Sequence, residues 1–446
     1  MKAFKAYDIR GIYPADFTKE DVYKIGFFLP ELLQTTKILI GRDVRVSSDE
    51  IYEALTNGII DAGADVYDLG LATTPMVYYF TAKHHFEASV QITASHNPKE
   101  YNGLKISAAH ALPVGYDTGL NRLEYLIENK EIIPSISKGK ITDYSSKEEY
   151  LNFLKSHICD FSNLNMVVDC SNGMACLLAE SILGKNPFYL NDTLDGTFPA
   201  HEPNPLEAEN IVQLQQAVKQ QSADIGIIFD GDADRVMFVD EHANFISPDL
   251  MIAVLGHYFK GKQTGGKVLF DIRTSKSVEE YLTVMGFEAH IWKVGRAFAA
   301  PKLRELDGIF GGELAGHYYF KDFFYSDSGM LACIILLDIF AEFKRQGISV
   351  SQLIRQIVKY ANSGEINFRI KDKQAAMETI KNYFCSRETP IKIYDFDGYR
   401  IEFEDWWFNI RPSNTEPYLR LLAEAKNQQL LDEKLNIIRD LLAINV

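Results

Sequence analysis

Three related α/β domains in tandem with mixed sheets, closed by a smaller α+β domain, are what this sequence predicts, on three observations. The chain has 446 residues, more than one ordinary hydrophobic core serves. A short β-branched strand, a polar turn and an amphipathic helix follow one another three times, and such alternation favours α/β units with parallel or mixed sheets. After about Gly364 the pattern changes to strands and helices separated by tight turns.

Taken in order, Lys37-Ile38-Leu39-Ile40-Gly41 runs into Arg42-Asp43 and a helix from about Ser48, and Ala64 to Leu69 supplies a following strand. Ala88-Ser89-Val90-Gln91-Ile92 alternates as a strand does, and Asn97-Pro98 stops regular structure just beyond it. Met166 to Asp169 leads through Ser171-Asn172-Gly173 into the second helix, with further strands at Ile225 to Phe229 and Val236 to Val239. Lys267 to Asp271 leads through Thr274-Ser275 into a third helix that ends near Met285-Gly286, and Met330 to Phe340 reads as a core helix. The closing pattern comprises Ile366 to Ile370, a helical segment, Tyr399 to Phe403 and Trp406 to Ile410. Polar residues from Ser135 to Lys147 and the turn Asp240 to Asn244 mark expected boundaries, giving domains at 1–143, 144–243, 244–363 and 364–446.

Hydrophobic residues make up 46% and aromatic residues 12%, as expected of a globular protein with large cores. A formal net charge of −15 argues against nucleic-acid binding, which needs Lys and Arg to displace counterions. It leaves room for a small phosphorylated ligand in a local basic cleft. Cysteines 159, 170, 176, 333 and 385 have neither metal-ligand nor disulfide-framework spacing, so a reducing cytoplasm is expected. Lys2, Lys5, Asp8 and Arg10 interrupt any signal-peptide core, and Met330 to Phe340, which contains Asp338, is too short to span a bilayer. No membrane partner is expected, and monomer and homodimer both remain open.

Four stretches carry chemistry. Thr93-Ala94-Ser95-His96-Asn97-Pro98 places a hydroxyl in a turn after a strand, where Ser95 is expected at a loop rim open to substrate. These six residues alone fit a capped turn as well as a nucleophile. Asp230-Gly231-Asp232-Ala233-Asp234-Arg235 offers alternate carboxylates that converge on one hard cation if the backbone curls tightly. An EF-hand fails here, because Arg235 replaces the required sixth-position glycine and the flanks read as strands. The loop suits Mg²⁺ with positions free for a phosphate oxygen. Gly311 to His317 sets Glu313 between small residues, a carboxylate able to accept from adjacent sugar hydroxyls or a plain structural turn. Arg411-Pro412-Ser413-Asn414-Thr415-Glu416-Pro417 combines a guanidinium, hydroxyls and an amide, donors that a phosphate dianion needs. Their joint presence, one in each expected domain, decides against four independent structural turns.

With these stretches in that order, the chain resembles the α-D-phosphohexomutase family, and in particular its bacterial phosphomannomutase/phosphoglucomutase branch, over essentially its whole length. The resemblance implies that Ser95 carries the transferable phosphoryl group and joins Asp230, Asp232 and Asp234 in binding Mg²⁺, with Arg235 beside the phosphate. It implies sugar recognition by Gly312 to His317, and a distal phosphate site at Arg411, Ser413, Asn414 and Thr415. Tyr7 and Arg10 resemble the family's opening segment, which faces the active site, and Tyr101 to Lys105 match the stretch whose lysine is a proton-transfer candidate. Three positions depart from the pattern: Ala315 stands where the sugar loop typically has serine, and Arg273 and Arg296 stand where a lysine and a histidine are common. Both arginines keep positive charge for substrate binding.

The implied activity is interconversion of hexose 6-phosphate and hexose 1-phosphate, of mannose and also glucose, through phospho-Ser95 and a hexose 1,6-bisphosphate that also serves as activator. Lys105 and His317 are both candidates for the base. The competing classes are a Mg²⁺-dependent sugar phosphate phosphohydrolase, the same mutase on an amino sugar phosphate, and a non-catalytic phosphosugar binder. The hydrolase lacks the Asp-x-Asp-x-Thr nucleophile pattern and leaves Ser95 without a task, and a binder has no need of Ser95 and three acids together.

Overall fold

The computed structural model describes residues 2–144, 146–261, 265–413 and 418–443 and gathers their strands into four sheets in chain order. The first sheet runs Ile9–Ile12, Tyr101–Ala108, Ala88–Ile92, Lys37–Arg42, Asp65–Leu71, Ile141–Asp143. The second runs Phe245–Ile246, Val236–Asp240, Ile225–Phe229, Met166–Asp169, Phe188–Leu190, and the third runs Glu288–Trp292, Lys267–Asp271, Phe310–Gly312, Tyr318–Phe320, Ser326–Asp327. The fourth is wholly antiparallel, built around Trp406–Pro412 and Leu419–Ala425 with the helices Lys373–Cys385 and Gln428–Ala443. This is the expected architecture, with mixed sheets and an α+β domain last.

The first three sheets repeat one feature. A buried strand lies parallel to its neighbour (Ala88–Ile92 to Lys37–Arg42, Ile225–Phe229 to Met166–Asp169, Phe310–Gly312 to Lys267–Asp271). Each then turns back through a short loop into an antiparallel strand, the pairs closing at Ile92↔Leu104, Phe229↔Val236 and Gly312↔Tyr318. The serine, aspartate and glutamate loops are therefore one loop in three copies of a topology, each at the carboxyl end of a parallel strand, where open α/β sheets bind ligands.

The helices Ser48–Asp61 and Lys276–Val284 form where the sequence places them, and the apolar run lies in Gly329–Arg345, capped by the Ser328 side chain and buried on nearly every face. The second amphipathic helix is cut short. After Ser171-Asn172-Gly173 come a 3-10 turn, Met174–Leu177, and only Ala179–Leu183, because Gly184 enters the left-handed region at φ 82° and Pro187 follows. The turn at Asp240 to Asn244 is a hairpin inside the second sheet, joining Val236–Asp240 to Phe245–Ile246.

The first and fourth domains have their own cores, while one large apolar cluster runs through the second and third and reaches the first at Val77, Tyr79 and Phe80. Tyr79 stacks on Phe323 with centroids 6.3 Å apart. The fourth domain docks on the third through Arg400, fully buried, which donates to the carbonyls of Ile272 (3.1 Å) and Thr274 (2.6 Å) and stacks on Trp407. Among the described residues no helix is long and apolar enough to cross a membrane.

Candidate active site

Ser95 follows the buried strand Ala88–Ile92 and takes a left-handed backbone conformation, φ 52°, uncommon for a residue with a side chain. Thr93 Oγ1 accepts its N–H at 2.9 Å. Beneath the turn lies Arg45, which the sequence did not single out. Its side chain is fully buried and uses all five donors: Nε to Asp43, Nη1 to the carbonyls of Pro98 (2.7 Å) and Tyr101 (3.0 Å), Nη2 to those of Ser95 (2.9 Å) and Asn97 (2.6 Å). The second domain covers the guanidinium with the Phe198 ring, 5.0 Å away. The loop-rim expectation for Ser95 is corrected here, since the residue is wholly buried. Arg45 draws four carbonyls inward, and Asp230 of the second domain closes over the hydroxyl, its Oδ2 accepting from Ser95 Oγ at 2.8 Å. That approach requires glycine at 231, where a Cβ would stand 2.4 Å from the Ser95 carbonyl.

Asp230, Asp232 and Asp234 are fully buried and turn a carboxylate oxygen each toward a common point, within 4.8 Å of one another. Asp230 Oδ1 also accepts the Arg235 N–H, and Asp232 is held by Thr74, whose hydroxyl donates to Oδ2 and whose N–H donates to the Asp232 carbonyl. Lys105 Nζ bridges Asp232 (2.6 Å) and Asp234 (2.5 Å). Burial, then Asp234 and Asp232, push the Asp230 carboxyl well above its ordinary range, since adjacent buried carboxylates resist ionising together. Burial alone would lower Lys105, but Asp232 and Asp234 raise it and keep it charged. Asp232 Oδ1 and Asp234 Oδ1 are buried with no hydrogen-bond partner. Two orphaned oxygens beside a third carboxylate form a donor set that fits a hard divalent cation.

On the third domain, Arg235 Nε donates to His317 Nε2 at 3.0 Å, and His317 Nδ1 meets Asp327 Oδ2 at 2.7 Å. Asp327 Oδ1 accepts from Arg296 Nε at 2.8 Å, and Arg296 stacks on Tyr78 of the first domain at 3.6 Å and donates to the Ala111 carbonyl. Burial would raise Asp327, but His317 and then Arg296 hold it below the carboxylate range. Glu313 is buried, one oxygen taking the Tyr319 hydroxyl (2.5 Å) and the other the Gly295 N–H (3.1 Å). Arg273 grips both oxygens of Asp271 and reaches Glu365, and Asp271 accepts the Leu314 N–H, fixing the glutamate loop.

The remaining expected residues ring this centre. Arg10 pairs with Asp8 and donates to Asn97 Oδ1 at 2.8 Å, and Tyr7 donates to the Val294 carbonyl at 3.2 Å, edge-on to Phe298. Arg411 is the penultimate residue of the strand Trp406–Pro412, its Nε on Asp397 at 3.1 Å, and Ser413 donates its N–H to the Tyr418 carbonyl. Asn414 and Thr415 lie outside the described residues. The structure thus brings Ser95, Lys105, the three aspartates, Arg235 and His317 into contact, with Arg10 joined through Asn97. Glu313 and Arg296 lie one residue further out. Arg45, Thr74, Asp327 and Asp397 escaped the sequence reading because their partners are 50 to 158 residues away or lie in another loop. The visible trace was acid and arginine beside strand ends, as in Arg42-Asp43-Val44-Arg45 and Ser326-Asp327.

A serine bonded to a buried carboxylate triad able to hold a cation, with Arg10, Arg45 and Arg235 around it and the buried Glu313 nearby, fits a four-domain enzyme that handles phosphorylated sugars. Profiles described as phosphoglucomutase/phosphomannomutase match all four parts in order: alpha/beta/alpha domain I over 1–132, domain II over 148–243, domain III over 247–360 and the C-terminal domain over 365–441. The phosphomannomutase of Methanocaldococcus jannaschii is 35% identical, covering 99% of this chain and 98% of the relative, and that of Vibrio cholerae serotype O1 is 35% identical over the same shares. A phosphoglucomutase/phosphomannomutase family protein from Burkholderia thailandensis superposes with a TM-score of 0.89 at 27% identity, covering 100% of this chain and 97% of that one. The chain belongs to the phosphoglucomutase/phosphomannomutase family, whose members are hexose phosphate mutases and isomerases.

Proposed function

We propose that the chain interconverts hexose 6-phosphate and hexose 1-phosphate, with mannose and glucose phosphates as substrates, through phospho-Ser95 and a hexose 1,6-bisphosphate. The observation that carries this reading is the 2.8 Å bond from Ser95 Oγ to Asp230, which joins the nucleophile to the carboxylate triad across two domains. Asp230, Asp232 and Asp234, with Ser95, would hold Mg²⁺, which when bound supplies charge neutralisation for the serine phosphate.

In the mannose 6-phosphate direction the sugar O1 attacks the phosphorus in line. The bond from phosphorus to Ser95 Oγ breaks as the bond to O1 forms. The bisphosphate then turns over, Ser95 Oγ takes the 6-phosphoryl group, and the O6 hydroxyl regains a proton. Two carboxylates hold the Lys105 ammonium, which favours charge stabilisation at the transferring group as its role. Asp327 accepts from His317 Nδ1 and so leaves the lone pair on Nε2, where the hydroxyl proton is taken once Arg235 turns to the phosphate. Arg10 and Arg235 neutralise the transferring group, Glu313 grips sugar hydroxyls, Arg296 steadies Asp327, Arg273 holds the glutamate loop through Asp271, and Tyr7 lines the entry. Arg411, Ser413, Asn414 and Thr415 take the non-reacting phosphate. Closure of the site keeps water from phospho-Ser95, which otherwise becomes a phosphatase centre. All five cysteines are thiols outside any disulfide, which supports a cytoplasmic setting.

The test is conversion of mannose 1-phosphate, glucose 1-phosphate and an amino sugar 1-phosphate with Mg²⁺ and a trace of hexose 1,6-bisphosphate. Isomerised sugar is expected, and free phosphate without it would overturn the mutase reading. Relative efficiency ranks the three sugars, the point on which Ala315 bears.

A further inference from the structure

We propose that Asp397 is a positioning residue that ties the distal phosphate grip to the sugar and reaction-centre loops when the fourth domain is closed, an inference that rests on the phosphate role given above to Arg411. Asp397 lies in the turn between the strands Lys392–Tyr394 and Tyr399–Glu402. The turn is pressed onto the start of the phosphate loop: Gly398, φ 69°, has no room for a Cβ, which would stand 2.2 Å from the Ile410 carbonyl and 2.7 Å from Arg411 Cα. Phe396 beside it packs on Trp292 of the third domain, with centroids 5.3 Å apart.

The two oxygens of Asp397 are divided between domains. Oδ1 accepts from Arg411 Nε at 3.1 Å, and Oδ2 accepts the Val294 N–H at 2.9 Å. Holding a guanidinium by Nε fixes its plane and aims the opposite edge, the fork that binds phosphate oxygens in pairs. Among the described residues the Nη groups of Arg411 carry no hydrogen bond, although the side chain is only 4% exposed.

Val294 begins a three-residue segment in which each member reaches a different part of the site. The Val294 N–H goes to Asp397, the Gly295 N–H to Glu313, and the Arg296 guanidinium to Asp327 and so to His317. Seating of a phosphate on Arg411 is thereby registered, through one carboxylate, with the residues that hold the hydroxyls and orient the imidazole. The turning bisphosphate presents either phosphate to the same grip, so both half-reactions depend on this register.

The experiment measures KM and kcat of the full-length enzyme for glucose 1-phosphate, with Mg²⁺ and glucose 1,6-bisphosphate, in Asp397→Ala, Asp397→Asn and, as a reference, Arg411→Ala. Asp397→Ala is expected to raise KM roughly tenfold, the effect of one lost charge-assisted hydrogen bond, while kcat falls far less. Asp397→Asn keeps the size and one acceptor oxygen, so a smaller rise is expected, and it serves if the alanine variant does not fold. A loss of kcat at unchanged KM, or KM within twofold of the parent in both variants while Arg411→Ala raises it, overturns the proposal and leaves Arg411 as the phosphate ligand. Unchanged KM in Arg411→Ala removes the phosphate role itself and the proposal with it.

Discussion

Replacing Arg45 by methionine removes the guanidinium under the serine turn and touches no reacting atom. Five hydrogen bonds are lost, four of them to carbonyls of the segment from Ser95 to Tyr101. Methionine fills much of the space but donates nothing, so those carbonyls must turn away or admit water. The backbone strain at Ser95, φ 52°, sets the scale of the loss. A non-glycine residue in that region costs about 1–3 kcal/mol, which only the surrounding structure sustains. Once the restraint is gone, the turn relaxes by that amount and the competent geometry falls in population by roughly 5- to 150-fold. We therefore expect kcat to fall within that range, and Arg45→Lys to recover little, because an ammonium has three donors and no planar fork. Initial rates of glucose 6-phosphate formation, coupled to a dehydrogenase, measure the effect, and intact mass spectrometry gives the fraction of Ser95 phosphorylated. A folded Arg45→Met enzyme with kcat within twofold of the parent refutes the reasoning.

Ser95→Ala removes the proposed phosphate carrier, and mutase turnover is expected to disappear; near-normal rates in the same assay would mean the nucleophile lies elsewhere. Thr74→Val takes away both the hydroxyl on Asp232 and the orientation it imposes. The Mg²⁺ concentration for half-maximal activity of EDTA-stripped enzyme is then expected to rise about 10- to 100-fold, as for other groups that orient metal ligands, and an unchanged titration would count against the cation site. His201 pairs with Asp169 at 3.1 Å; burial lowers its pKa, but the Asp169 hydrogen bond and charge outweigh burial and raise it above 6.5. The contact's contribution is complete below that value and fades as pH climbs through the raised one. Amide exchange of residues 191–203, corrected for intrinsic rate, should quicken over that interval, and a pH-independent protection factor would show the pair to be inert.

The domain order, the mixed sheets and the three chemical loops were legible because each loop follows a strand whose apolar alternation is local. What made those loops a site was not legible. Ser95 read as exposed because its own neighbours are polar; its burial is imposed by Arg45, 50 residues earlier, and by Asp230, 135 residues later. The helix expected after Ser171-Asn172-Gly173 forms only as Ala179–Leu183, since Gly184 and Pro187 stop it. Asp327 and Asp397 were silent for a different reason. A carboxylate that orients another side chain leaves no spacing pattern, since its partner is fixed by how domains meet and not by periodicity along the chain.

The separation of Ser95 from its carboxylate partner also orders events during synthesis. A ribosome adds roughly 5–20 residues per second, so the 135 residues to Asp230 take about 7 to 27 s. During that interval the nascent chain holds the serine hydroxyl without its carboxylate partners, and His317, Glu313 and Arg411 follow later still. In the proposed mechanism a fragment ending before the second domain lacks the carboxylates that would seat the cation, so phosphorylation of Ser95 waits for them. A site arranged as proposed across four domains makes activity a test of completeness, passed only by a chain that has been made and assembled to its last sheet.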